Sequence, residues 1–170
     1  MSYHDTMEQF IPGPETGKAL RGALSRFGTG VTIVTTMTED GPVGIAANSF
    51  SSVSLDPALV LWSVGKASRR YPYFSGAKHM AIHVLGADQL DLCKAFAASP
   101  HAFEGVIWEE GAHGLPLLGG CLARFECERY AEYDGGDHGI LVGLVQKVAF
   151  REGAPLICFG SQFGQFRLEG

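Results

Sequence analysis

The amino-acid sequence predicts a single domain of mainly β structure with many turns. Its 170 residues are enough for one hydrophobic core, and 46% of them are hydrophobic. Glycine occupies 23 positions, nearly twice its average share of about 7%, and each glycine inside a helix costs about 1 kcal/mol. The composition therefore excludes a disordered acidic chain and disfavours a helical bundle.

The N-terminal part of the chain predicts an extended arm and then one helix. Residues 1–15, which include Pro12 and Pro14, are assigned to the arm, and residues 16–170 to the domain. From Thr16 onwards apolar residues recur at helical spacing, and Gly28 stands where a glycine commonly ends a helix. The apolar positions of this helix are Ala19, Leu20, Ala23, Leu24 and Phe27.

The middle of the chain predicts a hairpin and a buried strand. Residues 31–37 are rich in β-branched side chains, the sequence TEDGP is a turn signal, and an extended pattern resumes over residues 43–50. The dipeptide Asp56-Pro57 then breaks the chain before ALVLWSV, a short apolar run typical of a buried strand. The sequence SRRYPYFSGAK that follows predicts a short helix or a turn.

The second half of the chain predicts four more strands and a second helix. MAIHVL is a strand, a helix starts near Asp88, and residues 99–120 are predicted to be mostly irregular. Three late strands have the sequences LARFECERYAEY, GILVGLVQKVAF and PLICFG. The total is about six strands and two or three short helices, without the regular alternation of strand and helix that a parallel sheet requires.

Charge and hydropathy argue against several classes of function. The net charge is −5 and Lys and Arg form no continuous stripe, which argues against a nucleic-acid partner. The longest apolar run, residues 58–62, is far shorter than the roughly 20 residues that a membrane-spanning helix needs. The N-terminus has no basic region followed by an apolar stretch, so no signal peptide is expected. These features predict a cytoplasmic protein without a membrane span.

The cysteines predict structural thiols and neither a metal site nor a disulfide framework. They form no C-x-x-C pair, and no histidine cluster stands at ligand spacing. A disulfide framework is also unexpected in a chain with this much apolar core. The four positions are Cys93, Cys121, Cys127 and Cys158.

The most unusual segment is a run of small hydroxyl residues in otherwise apolar β structure, ANSFSSVSLDP at residues 47–57. Hydroxyls and open backbone amides at this density can line a flat polar ligand and hydrogen-bond its edges. A serine-rich turn between strands is the alternative. Gly28-Thr29-Gly30 does not fit a dinucleotide-binding loop, because a helix precedes it and a strand follows.

Two further segments carry candidate binding groups. GKASRR offers Lys66, Ser68 and Arg69 directly after a predicted strand, which suits a phosphate group. A solvated basic loop would have the same sequence. In GGDHG, His138 stands in a glycine-rich loop before a strand, where an imidazole can titrate near neutrality or donate to a carbonyl. A histidine that is simply exposed is the alternative there.

Taken in order, these segments resemble the flavin reductase-like family of FMN-binding split β-barrels, in particular the reductase components of two-component flavin-dependent monooxygenases. The most specific parts are NSFSSVSLDP and the GDH turn before a strand. The matching stretches are FGTGVTIVTT, DGPVGIAANSFSSVSLDPALVLWSV, KASRRYPYF, HMAIHVLGADQ, GDHGILVGLVQKV and PLICFG.

The resemblance implies a fold, a reaction and partners. The fold is a six-stranded Greek-key split β-barrel with flanking short helices, assembled as a homodimer with flavin near the subunit interface. The reaction is hydride transfer from NADH or NADPH to FMN or FAD, and the reduced flavin diffuses to a partner monooxygenase. Such a protein needs no catalytic triad or paired carboxylates, because the flavin carries the hydride chemistry.

The resemblance also implies the residues of the site. His138 matches the position associated with the nicotinamide, where it acts as a positioning donor. Lys66, Ser68 and Arg69 match a stretch near the flavin phosphate. The segment that binds the flavin ring falls on Ala47, Asn48, Ser49, Phe50, Ser51, Ser52, Val53 and Ser54.

Two positions depart from the family pattern, and two other functions use the same barrel. Family members often have Asn where His83 stands, and an aromatic, basic tail where this chain ends in SQFGQFRLEG. A flavin-storage protein without NAD(P)H turnover and an oxidase of the pyridoxamine-phosphate type are the alternative functions. NSFSSVSLDP and the GDH turn favour the reductase.

Overall fold

The computed structural model describes residues 7–166, and these form mainly β structure, as the composition predicts. Short 3-10 turns lie at Pro14–Thr16, Ala87–Gln89 and Ala112–Gly114. In chain order the helices and strands are α1 (Gly17–Leu24), β1 (Thr29–Gly30), β2 (Thr32–Thr38), β3 (Gly41–Ala47), β4 (Ser51–Leu55), β5 (Ala58–Gly65), α2 (Tyr71–Ser75), β6 (His79–Val84), α3 (Leu90–Ala98), β7 (Trp108–Glu110), β8 (Pro116–Leu118), β9 (Ala123–Gly135), β10 (His138–Phe150), β11 (Leu156–Phe159) and β12 (Gln162–Gln165).

The strands form one large antiparallel sheet and two small ones. The large sheet has seven strands in the order β3-β2-β6-β9-β10-β5-β4, so β4 is an edge strand. A three-stranded sheet has the order β1-β11-β12, and β7 pairs with β8. The sequence predicts about six strands, and the difference arises mainly from short strands in segments whose patterns are weak.

Two apolar clusters fill the fold. The first contains Trp62 of β5 and Phe74 of α2, whose rings meet edge to face with centroids 5.1 Å apart. This cluster packs α2 against the large sheet. The second contains Phe96 of α3, which packs over β3 so closely that a Cβ on Gly44 would lie 2.5 Å from the Phe96 ring. Glycine at position 44 therefore allows α3 to rest directly on the sheet.

His83 connects two parts of the core through a neutral imidazole. The side chain is fully buried on β6. Its Nδ1 donates to the carbonyl of Ile33 at 3.0 Å, and its Nε2 accepts the backbone N–H of Leu118 at 3.1 Å. Burial lowers the pKa of His83 to about 4. The departure from the family's usual Asn is therefore a structural feature of the core.

The four cysteines are free thiols. Cys93 and Cys127 are buried, and Cys121 and Cys158 are partly buried. Burial raises the pKa of Cys127 to about 12 and that of Cys121 to about 11. Thiols with such high pKa values form little thiolate at neutral pH, so these two are chemically inert packing residues.

The first helix differs from its prediction. The pattern predicts a helix that continues to Gly28, but α1 ends at Leu24, where the Ser25 hydroxyl donates to the carbonyl of Gly22 at 2.7 Å. The apolar side chains of this segment are also uncovered, since Leu24 in α1 is 65% exposed and Phe27, beyond its end, is 78% exposed. The helical spacing predicts the helix itself but not the burial of its apolar face.

Four stretches contain strands that the sequence does not predict, and two of these strands, β1 and β12, are the short partners of β11. Residues 99–120, predicted to be irregular, include the β7–β8 hairpin, and the serine-rich segment includes β4. Three-residue strands and strands of exposed serine lack the alternation that identifies a strand in a sequence. Residues 7–13 form no regular structure, and residues 1–6 of the predicted arm lie outside the described residues, as do residues 167–170 of the C-terminal tail.

No helix within residues 7–166 is both long enough and apolar enough to cross a membrane.

Candidate active site

Strand β5 brings the three predicted site segments together. Its side chains alternate, with Val60, Trp62 and Val64 buried and Leu61, Ser63 and Gly65 on the opposite, outer face. The serine-rich segment runs along one side of β5, the start of β10 along the other, and the GKASRR segment begins where β5 ends. Segments far apart in the sequence thus meet along one strand, since β4 pairs with residues 58–61 of β5, and His138 and the start of GKASRR lie at the C-terminal end of β5.

The serine-rich segment presents hydroxyls and an open backbone edge. Ser51 pairs with Leu61 and Ser52 pairs with Val60, so the Ser51 side chain lies on the outer face of β5. The register shifts between Ser52 and Ser54, which makes Val53 the extra residue of a β-bulge, and Val53 is 49% exposed. Because β4 is an edge strand, half of its backbone donors and acceptors point away from the sheet.

Other residues of this segment anchor it to the fold. The Ser49 hydroxyl donates to the carbonyl of Ser63 at 3.0 Å and accepts the Ser63 N–H at 2.9 Å. The Phe50 ring stacks on Phe125 with centroids 5.5 Å apart, and Ala47 packs against the first cluster. Asn48 is exposed between these anchors, and Ser54 is partly buried. The side chains of Ser49 and Phe50 therefore hold the loop, while its backbone remains available to a ligand.

His138 lies on the same outer face. It opens β10 and pairs with Gly65, and a Cβ placed on Gly65 would lie 3.7 Å from Nε2 of His138. The carboxylate of Asp137 accepts from Nδ1 at 2.7 Å, which leaves Nε2 to face a ligand. The hydrogen bond from His138 also lowers the pKa of Asp137. His138 is 49% exposed in its side chain, so the imidazole is half covered and half accessible.

Three hydrogen-bonded side chains, those of Tyr71, Glu132 and Arg129, lie next to Gly139, the residue after His138. Tyr71 donates its hydroxyl to Glu132 at 2.6 Å, and Arg129 pairs with the same carboxylate. The hydrogen bond to Glu132 raises the pKa of Tyr71. A Cβ on Gly139 would lie 2.8 Å from the Tyr71 ring and 3.0 Å from Glu132, so only glycine fits at this buried position.

Ser68, Arg69 and Arg70, in the basic segment after β5, lie in three different environments. Arg70 donates to the carbonyls of Phe96 and Ala97 at 2.8 and 2.9 Å and so caps the end of α3. Arg69 is exposed, and it lines a cavity of about 350 Å³ together with Tyr73 and Ser99. Ser68 accepts the N–H of Arg70 at 3.2 Å. Arg69 therefore presents its charge to solvent, whereas Arg70 has a structural role.

Lys66 contacts the loop that carries His138. Its ammonium donates to the carbonyl of Gly136 at 2.8 Å and pairs with the carboxylate of Asp134, while its backbone N–H donates to the carbonyl of Asp137 at 2.9 Å. The hydrogen bond between the two side chains raises the pKa of Lys66 and lowers that of Asp134. The ammonium expected near a phosphate is thus engaged with the protein itself.

The predicted segments all adjoin β5, although Ser52 pairs with Val60 on the face opposite to Ser51, and several neighbours of the site residues are not predicted. Asp137 is adjacent to His138 in GGDHG, so the carboxylate was readable from the sequence as a partner for the imidazole. The roles of Asp134 and Glu132 cannot be read from the sequence, because each hydrogen-bonds to a side chain more than 60 residues away, Lys66 and Tyr71 respectively. No group of three or more His, Cys, Asp and Glu side chains that could hold a metal ion occurs within residues 7–166.

This surface fits a flat, polar ring system. The small residues Ser63 and Gly65 leave room above the outer face of β5. The free edge of β4 offers backbone hydrogen-bonding groups, and the imidazole of His138 lies beside Gly65. Arg69, a few residues beyond β5, supplies a positive charge for an acidic side arm. A mainly β fold with this site defines a flavin-binding class of protein, in which a planar ring is held largely by backbone groups.

Residues 24–167 match the family model described as flavin reductase like domain. The chain therefore belongs to the flavin reductase-like family, and the resemblance seen in the sequence is confirmed. FMN reductase (NADH) SmoA of Agrobacterium fabrum is 52% identical over 157 residues, which cover 92% of this chain and 90% of that protein.

Two further comparisons extend this result. The reductase component of flavin-dependent trigonelline monooxygenase from Acinetobacter baylyi is 46% identical over 131 residues. That match covers 76% of this chain but 42% of that relative, so this chain spans less than half of its length. The structure of NADH:FAD oxidoreductase SgcE6 of Streptomyces globisporus has a TM-score of 0.87 at 35% identity, covering 96% of this chain and 100% of that chain. SgcE6 has also been solved in complex with NAD and FAD fragments.

Proposed function

We propose that this protein is an NADH:flavin oxidoreductase that reduces FMN or FAD and supplies the reduced flavin to a separate monooxygenase. The observation that carries the proposal is that the serine-rich segment, the GKASRR segment and His138 all adjoin β5. The names of the relatives, FMN reductase (NADH) and NADH:FAD oxidoreductase, support the same reaction and favour NADH over NADPH.

The residues of the chain have binding and orienting roles in this proposal. A bound flavin supplies the hydride acceptor. Backbone groups of residues 47–54 hydrogen-bond the edge of the ring and favour the negative charge that develops there on reduction. Ser68 and Arg69 hold the flavin phosphate. Because Nδ1 of His138 donates to Asp137, Nε2 accepts a hydrogen bond from the carboxamide N–H of the nicotinamide and so orients that ring against the flavin.

The proposed reaction is tested by NADH oxidation with purified protein. We expect loss of the nicotinamide absorbance on addition of FMN or FAD, and slower loss with NADPH in place of NADH. A tightly bound flavin without NAD(P)H turnover would instead support the flavin-storage alternative. No oxidation with either flavin and either nicotinamide would refute the reductase.

His138→Ala tests the nicotinamide assignment. Loss of one hydrogen bond to the ligand is expected to raise the KM for NADH about tenfold while changing the KM for flavin much less. Steady-state rates measured over a grid of NADH and FMN concentrations separate the two constants. His101→Ala, which removes an exposed histidine elsewhere, is the control. A larger change in the flavin KM than in the NADH KM would contradict the assignment.

We propose a monooxygenase as the partner, because the Acinetobacter baylyi relative is itself named a reductase component. Reduced flavin that diffuses between the two proteins requires no stable complex. Reconstitution tests this: product formation by a flavin-dependent monooxygenase should persist when a dialysis membrane permeable to flavin separates it from this protein. Activity that requires direct mixing would contradict transfer by diffusion.

Exposed aromatic residues support a homodimer. Phe27 is 78% exposed and lies beside Phe159, since a Cβ on Gly28 would be 3.8 Å from the Phe159 ring. Phe150, at the end of β10, is 80% exposed. Aromatic side chains dominate the energetics of protein interfaces. We therefore propose that a second copy covers this surface and encloses the otherwise open flavin site of a Greek-key split β-barrel.

Sedimentation velocity tests the homodimer. The wild-type protein is expected to sediment with twice the chain mass of 18.2 kDa. A variant that combines Phe27→Glu with Phe159→Glu should sediment as a monomer, because two charges would be buried without partners. Ile107→Glu, a change at a residue that is 83% exposed in a different loop, is the control. A monomeric wild type would overturn this proposal.

The domain limits and the cellular location belong to the same proposal. We place the flavin reductase-like domain at residues 16–170 and an arm at residues 1–15. Four free thiols favour a reducing compartment, which supports a cytoplasmic location.

A further inference from the structure

We propose that Lys66 and Asp134 form a clamp that positions His138, and that Lys66 does not bind the flavin phosphate. The clamp joins the end of β5 to the loop between β9 and β10. The inference rests on the proposed function, since it concerns the nicotinamide side of that site, and it makes Lys66 a positioning residue that acts through His138.

Three contacts carry the clamp. The Lys66 ammonium reaches the carboxylate of Asp134 and, at 2.8 Å, the carbonyl of Gly136. The Lys66 backbone N–H reaches the carbonyl of Asp137 at 2.9 Å. The same lysine thus holds Asp134, at the end of β9, and both turn residues, Gly136 and Asp137. His138 follows this loop at once, so the contacts on Asp137 and Gly136 contribute to its starting position.

The loop needs such a restraint. Gly136 has a φ of +76°, and the neighbouring Gly135 also lacks a side chain that would limit its backbone. Two glycines in succession give a turn many accessible conformations. The Asp137 carboxylate, which fixes Nδ1 of His138, is itself 94% exposed. The backbone of His138 is held by pairing with Gly135 and Gly65, and the lysine contacts add to that pairing by fixing the turn, Gly136-Asp137, from which the Asp137 carboxylate projects.

The local charge argues against a phosphate on this lysine. An ammonium has three donors, and two of them are engaged by Asp134 and Gly136. Asp134 and Asp137 both lie close enough to interact electrostatically with Lys66. Two carboxylates against one ammonium give the position a net negative charge, which repels a phosphate dianion. Arg69, by contrast, is exposed and free of such a pair within the described residues.

The two roles of Lys66 predict opposite kinetic results. In the clamp, Lys66→Met is expected to raise the KM for NADH about three- to fivefold, the effect of losing one partly exposed charged contact. The KM for FMN and the KM for riboflavin, which lacks the phosphate, should both stay within about twofold of wild type. A phosphate ligand would instead raise the KM for FMN and leave that for riboflavin unchanged.

Further variants separate the clamp from a general loss of structure. Asp134→Asn should reproduce the rise in the NADH KM, although it removes a negative charge and so would favour any phosphate. Lys66→Arg keeps the charge and the donors and should restore most of the wild-type value. Lys94→Met, a change of an exposed lysine on α3, is the control for loss of one positive charge.

A double variant tests whether the clamp acts through His138. In a His138→Ala background, Lys66→Met should have no further effect on the NADH KM, because the group that it positions is gone. Additive effects of the two changes would refute the clamp, as would an unchanged NADH KM in Lys66→Met or a rise confined to FMN. Absence of NADH oxidation in the wild type would refute the proposed function itself, so the two failures are distinguishable.

Discussion

Ser51→Trp is expected to weaken flavin binding at least about thirtyfold, equivalent to about 2 kcal/mol. The Ser51 side chain lies on the outer face of β5, in line with Leu61 and on the face that carries Gly65 and His138. An indole at this position would occupy the surface on which we place the flavin ring, while the backbone of β4 would keep its pairing with β5. Fluorescence quenching of FMN or FAD on titration with protein measures the dissociation constant.

Two companion variants make this result specific to one face. Ser52→Trp adds the same side chain one residue further on, paired with Val60 on the opposite face, and should weaken binding much less. Glu39→Trp adds it to the exposed turn between β2 and β3, far from β5, and should have no effect. Equal affinities in wild type and Ser51→Trp would show that the flavin ring lies elsewhere.

The stability of the protein should fall steeply in mild acid because of His83. An unfolded histidine has a pKa near 6.5, whereas burial holds the pKa of His83 at about 4 in the folded state. Protons below pH 6.5 therefore bind the unfolded chain in preference to the folded one. The contribution of neutral His83 is complete above pH 6.5 and is lost as the pH falls towards 4. The difference corresponds to about 3 kcal/mol.

Urea unfolding between pH 7.5 and pH 4 measures this dependence. His83→Gln is expected to be less stable by about 1–3 kcal/mol at pH 7.5, because the carbonyl of Ile33 and the N–H of Leu118 lose well-aligned partners. Its stability should also fall less between pH 6.5 and pH 4 than that of the wild type. His101→Gln replaces an exposed histidine and should keep the wild-type slope. Parallel slopes in wild type and His83→Gln would contradict a neutral, buried His83.

Runs of β-branched and apolar residues predict most of the large sheet. The β-branched run before TEDGP became β2, and ALVLWSV became β5 with its buried and outer faces. In both cases the signal is local, since neighbouring side chains determine it. β4 and the β7–β8 hairpin have no such signal, because exposed serines and three-residue strands are stabilised by partners elsewhere in the chain.

The sequence predicts which segments form the candidate site, but not the side-chain contacts between them. The serine-rich run, GKASRR and GGDHG stand out by composition, and the structure brings all three next to β5. The role of Lys66 was not visible, because its carboxylate partner Asp134 is 68 residues away. A lysine followed by Ser and Arg suggests a phosphate site in sequence, and only the fold reveals that the ammonium faces a carboxylate.

The alternation along β5 separates two structural roles within a single strand. Val60, Trp62 and Val64 pack in the core, whereas Leu61, Ser63 and Gly65 lie on the face where we place the ligand. Substitutions at the second set can change which flavin or nicotinamide is accepted without opening a cavity beneath them. We expect descendants of this chain that adopt a new ligand to diverge at the odd-numbered positions of β5 first.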